Sequence, residues 1–108
     1  MTKYTSLHGN MTILIDEQII TDGINILNMI NNISVLSSLK GIHGPHMIYE
    51  KIIIDELHVD IDATMYWLKN FGLITPVMQK SVAITPKGIK SLDLSSFLST
   101  NHLIPVRS

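Results

Sequence analysis

The chain has 108 residues, 45% apolar and 16% charged, which suits one folded domain around one core and excludes a disordered chain. Its net charge of −1 supplies no global field toward nucleic acid, so any such binding has to come from a local patch. There is no cysteine, which excludes disulfides and thiolate metal sites and suits a cytoplasmic protein, and no apolar run reaches the roughly 18 residues of a membrane span or has the form of a signal peptide.

Residues 1–10 are polar and read as a flexible N-terminus. Met11 to Asp16 is short and β-branched, as a strand is, although it can also lead directly into a helix. Asp22 is a candidate N-cap beside Gly23. From there Ile24, Leu27, Ile30, Ile33, Leu36 and Leu39 recur at helical spacing, with a kink or break expected at Asn31-Asn32 and a stop at Lys40-Gly41. His43-Gly44-Pro45 reads as a turn. A helix over about 46–57 follows, with Met47, Ile48, Ile52 and either Ile53 or Leu57 inward.

Asp60 or Asp62 caps the next helix, whose inward face is Ile61, Met65 and Leu68 and which ends at Gly72. Leu73 to Val77 and Ser81 to Ile84 read as a β-hairpin with Lys80 at its tip. Thr85 as N-cap and Pro86 at the first helical position open a last helix that runs to about Leu98 through Ile89, Leu92 and Phe97, and His102 to Ser108 reads as a tail.

This order resembles the winged helix-turn-helix domain of small bacterial, archaeal, phage and plasmid regulators. The residues that carry the resemblance are Ile61, Met65, Leu68, Gly72, Leu73 and Ile74, followed by Ile84-Thr85-Pro86-Lys87-Gly88. It implies a mainly α fold with a small β-hairpin (α+β), a single domain over 11–98 with its core at 33–92, and a recognition helix over about 60–71. It further implies a DNA-binding transcription regulator that contacts double-stranded DNA through Thr64, Lys69 and Asn70, with Lys80 reaching from the wing and Lys87 and Lys90 touching phosphates. The chain departs from a DNA reader at Asp60 and Asp62, whose carboxylates repel phosphate but suit a helix N-terminus. A protein-protein interaction module that docks a basic partner through Asp60, Asp62 and Tyr66 is therefore the alternative. Trp67 is expected in the core.

Ten apolar residues fall between Ile13 and Ile30, more than one helix face buries, which points to a homodimer formed through residues 11–32 together with Phe97 and Leu98. His46 and Glu50, four apart, with His43 and His58 nearby, offer nitrogens and a carboxylate for zinc, but the spacing matches no strong metal signature. No cofactor is expected. No glycine-rich phosphate loop, nucleophile elbow or paired-carboxylate motif points to an enzyme.

Overall fold

The computed structural model describes residues 2–8, 11–41, 47–57, 61–78 and 80–106. The chain is a mixed α/β protein. In order it forms β1 (Lys3–His8), β2 (Met11–Asp16), α1 (Glu17–Leu39), β3 (Ile48–Tyr49), α2 (Glu50–Leu57), α3 (Asp62–Asn70), β4 (Ile74–Pro76), β5 (Ser81–Ile84), α4 (Pro86–Ile89), α5 (Leu94–Thr100) and β6 (Ile104–Val106). Two small antiparallel sheets are present, ordered β2-β1-β6 and β3-β5-β4.

The first sheet joins both ends of the chain and corrects two expectations. Residues 3–8 are a strand, not a loose end, and residues 104–106 are a strand, not a tail. In β1, Tyr4 and Ser6 are buried while Lys3 and Thr5 lie on the outer face, the alternation of a half-buried strand. With one apolar residue on its inner face among these, β1 has almost no local signal. It is held from both sides, by β2 with Tyr4 opposite Ile15 and by β6 with Tyr4 opposite Pro105. The strand expected at Met11 to Asp16 is present and passes straight into α1.

α1 runs unbroken for 23 residues, about 35 Å of helix. The cap expected at Asp22 is a correction, because the helix starts at Glu17 and Asp22 accepts from Gln18 Nε2 at 3.0 Å one turn earlier. Gly23 sits inside the helix because α3 crosses there: a Cβ on Gly23 would lie 3.1 Å from Leu68 Cδ2. No break occurs at Asn31-Asn32, where Asn32 points to solvent. Buried Ile20, Ile26, Leu27 and Ile30 form the centre of the core with Ile53, Leu68, Leu73 and Val82, each such side chain contributing about 1.5–3 kcal/mol. Asn28 links α1 to the C-terminal region, its Nδ2 donating to the Leu92 carbonyl at 2.8 Å.

The expected helix over 46–57 begins late. Ile48 and Tyr49 pair with Val82 and Ser81 of β5, and the helix starts at Glu50. Ile48 and Ile53 are buried, as expected, whereas the later start leaves Ile52 exposed, a correction to the inward face expected from spacing. In α3 the inward set Ile61, Met65 and Leu68 is buried, as expected. Gly72 follows with φ of +73°, the left-handed conformation that glycine adopts without strain.

Thr85 caps α4, its Oγ1 accepting from the Gly88 N–H at 3.1 Å, with Pro86 at the first helical position. The single closing helix expected from Pro86 to Leu98 is two helices. Asp93 interrupts it and caps α5, accepting from the Ser96 N–H at 2.8 Å and the Ser96 hydroxyl at 3.0 Å. These bonds, the backbone one first, hold the Asp93 carboxyl below its ordinary range.

Gly88 packs directly against Leu73, at the entry to the hairpin, and against Ile84 of β5. A Cβ there would lie 2.2 Å from the Leu73 carbonyl oxygen. Gly88→Ala should therefore lower stability by about 1–3 kcal/mol, seen as a fall of several degrees in the unfolding midpoint; an unchanged midpoint would refute this packing.

Candidate functional site

The second sheet positions the candidate site. β4 and β5 form the hairpin, with Ile74 opposite Ile84 and Pro76 opposite Val82. Its turn is closed by the Ser81 N–H donating to the Met78 carbonyl at 3.2 Å, and Lys80 has φ of +58° at the tip. β3 lies along the other side of β5. The Glu50 N–H, the first of α2, donates to the Lys80 carbonyl at 2.9 Å. This bond ties the start of a helix to the hairpin tip.

Three lysines gather around that junction. Lys51 and Lys80 line a groove of about 420 Å³ together with Tyr49, Glu50, Ile52 and Ile54. Lys69, in the last turn of α3, reaches the same place, with Nζ 3.2 Å from Glu50 Oε1. Both partners are partly exposed, and such a pair is worth about 0–1 kcal/mol, so Lys69 leaves it at little cost. Two lysines beyond the Lys69–Glu50 pair thus border a groove otherwise lined by Tyr49, Ile52 and Ile54, and the N-terminal end of α2 adds its dipole. Lys51 did not stand out in the sequence. Its signal lies in the β3–β5 pairing, which brings position 51 beside position 80.

α3 divides into unlike ends. Asp62 and Ala63 are exposed in its first turn, Tyr66 is 61% exposed at its middle, and Lys69 and Asn70 are exposed at its end. Together they form one outward stripe at helical spacing. The Tyr66 ring meets Trp67 edge to face at 5.2 Å, and Trp67 stacks on Phe71 at 5.7 Å. Trp67 is half-buried against the core. Thr64 is a correction: expected on the exposed face, it is 2% exposed. It faces α1 at Gly23, where the absent side chain lets the helices approach.

Lys87 is exposed, yet its Nζ donates to the Phe71 carbonyl at 2.8 Å and so caps the C-terminal end of α3. Lys90 is exposed at the C-terminal boundary of α4. Asp60 lies outside the described residues, as do His43, His46 and His58 of the zinc combination, and the remaining member, Glu50, is paired with Lys69. No described helix is long and apolar enough to cross a membrane.

Phe97 is 3% exposed and Leu98 packs against the core. An interface built on Phe97 is therefore corrected, because α1 and α5 bury that ring within the chain.

No family model, curated protein or solved structure matches the chain.

The two α3 positions expected to act alike should separate on mutation. Thr64→Ala should cost about 1–2 kcal/mol in urea unfolding as a buried truncation, and Asn70→Ala about 0.5 kcal/mol or less as a surface change; equal costs would contradict the assigned orientation of α3.

Proposed function

We propose that the chain is a winged-helix DNA-binding regulator of transcription. The fold reading rests on topology. A helix, a short strand, two helices and a hairpin follow one another, and the short strand joins the hairpin in the order β3-β5-β4. In that reading α3 is the recognition helix and the turn around Lys80 is the wing.

The observation that carries the DNA reading is that Lys51 and Lys80 line one groove with Glu50, the first residue of α2, and that Lys69 reaches Glu50 from α3. Phosphate is the ligand such a junction suits, since a helix N-terminus and several ammonium groups act on one anion path. Asn70, exposed beside Lys69, has the amide that pairs with an adenine edge. Contact is thus shifted to the end of α3 and the wing, away from the acidic start of α3. Thr64 drops out as a reader, and Lys87 is secondary because its ammonium is engaged by Phe71.

Fluorescence anisotropy with random and genomic duplexes at low and moderate salt tests the proposal. Binding should weaken with salt, each phosphate contact contributing about 0.9 to the log–log slope. Lys51→Ala and Lys80→Ala should each weaken binding on every sequence and reduce the slope by about 1. Asn70→Ala should change sequence preference. Absence of binding at micromolar protein in low salt would sink the DNA reading.

Exposed Tyr66, on one stripe with Asp62 and Ala63, favours a second reading, docking of a basic protein partner. A chain that ignores DNA but loses a basic partner on Tyr66→Ala would establish it.

A further inference from the structure

We infer that the outer edge of β2 is the site where a second copy of this chain adds its own β2, giving a sheet that runs continuously through both copies. The inference does not depend on what α3 binds.

Backbone direction along β2 is set by two bonds. The Ile13 carbonyl faces β1, because it accepts from Thr5 Oγ1 at 2.7 Å, and the Glu17 N–H faces the same side, donating to the Thr2 carbonyl at 3.0 Å. Backbone groups alternate sides along a strand, so Thr12 and Leu14 turn both N–H and C=O away from β1, and Asp16 turns its N–H away while its carbonyl serves the first turn of α1. β2 is the end strand of its sheet. It therefore presents a row of donors and acceptors over six residues, with no proline, no lysine and no bulge in its pairing with β1.

The other sheet edges are blunted. β6 carries Pro105 opposite Tyr4. By the same alternation Tyr4 directs its backbone to β2, so position 105 faces outward, and proline has no N–H to offer there. In the second sheet, β4 carries Pro76 and β3 is only two residues long. Protection of exposed edges is what a soluble β protein needs to avoid unwanted pairing. Among the described residues nothing pairs with the outer edge of β2, and leaving it open while blunting the rest selects one edge for use.

An identical strand fits that edge. A two-fold axis perpendicular to the sheet keeps like faces together, and the register that engages all three outward residues is centred on Leu14. Leu14 then lies opposite the second copy's Leu14, and Thr12 lies opposite the second copy's Asp16 in both directions. The Leu14 pair exchanges both backbone bonds, and in each Thr12–Asp16 pair the Asp16 N–H donates to the Thr12 carbonyl. Leu14 is 55% exposed and lies on the outer face in one row with Thr5 and with Ile104, itself exposed. The pairing covers Leu14 with its counterpart. The two Asp16 carboxylates end up at opposite ends of the paired strands, so no like charges face each other.

Sedimentation equilibrium and backbone amide exchange on the full chain test this pairing. The parent chain should dimerise, and the amides of Leu14 and Asp16 should exchange more slowly as concentration rises. Leu14→Lys, at an exposed position, should stay folded by circular dichroism and raise the dimer dissociation constant at least tenfold, while Ile104→Lys at the far edge should leave it unchanged. A parent chain that stays monomeric at millimolar concentration would overturn the inference. So would a dimer whose two amides remain unprotected, or one weakened equally by both lysine variants.

Discussion

The structure depends on the burial of α1 along more than one of its sides. A helix at the surface of a small domain buries a single stripe. Here Ile20, Ile26, Leu27 and Ile30 are fully buried, and Ile19, Ile24, Met29 and Ile33 are partly so. α3 crosses one side at Gly23, α5 packs on another, and β5 supplies Val82. The same arrangement determines which side chains reach the surface elsewhere. Because α3 approaches α1 at a glycine, Thr64 turns inward, and the outward stripe of α3 becomes Asp62, Ala63, Tyr66, Lys69 and Asn70.

Elements with local signals were legible in the sequence. The inward spacing of Ile61, Met65 and Leu68, the left-handed Gly72 and the Thr85-Pro86 cap need only neighbours within a turn or two, and each is present. What escaped notice depends on partners far along the chain. β6 has little pattern of its own and exists because it pairs with β1 about a hundred positions away, and β1, equally weak in pattern, is held by β2 on one side and by β6 on the other. Ile48 and Tyr49 leave the helical pattern to pair with β5, which shifts the phase of α2 and exposes Ile52. Asp22-Gly23 has the composition of a helix start, but the glycine answers to Leu68 and the aspartate to Gln18. Asp93 was hidden inside the run of Ile89, Leu92 and Phe97, although Ser96 provides the N–H that the Asp93 cap requires.

The site was half visible for the same reason. Lys69, Asn70 and Lys80 follow from helix and hairpin position alone. Lys51 joins them only once β3 lies beside β5 and the Glu50 N–H reaches the Lys80 carbonyl. Conversely, a lysine count overstates the cationic surface. Lys87 is drawn to the Phe71 carbonyl at the end of α3, where the helix dipole also favours a cation. It stabilises the helix that would read DNA rather than lying open to phosphate.

Charge then limits how one copy can work. A chain with a net charge of −1 gains nothing from long-range attraction. The junction of α2 with the hairpin offers three lysines, one of them shared with Glu50. Under the proposed DNA reading, contacts to three or so phosphates would supply the affinity of non-specific encounter, with dissociation constants of about 10⁻⁴ to 10⁻⁶ M. On the proposed reading, selectivity of biological use requires more contact than one copy has. Pairing through β2 doubles the cationic junctions without raising the charge of either copy, and it makes the second contact intramolecular. The two-fold axis of such a pair would also impose matched half-sites on the DNA. On these two proposals, the terminal sheet and the lysine junction would serve one end: the first would supply the multiplicity that the second lacks.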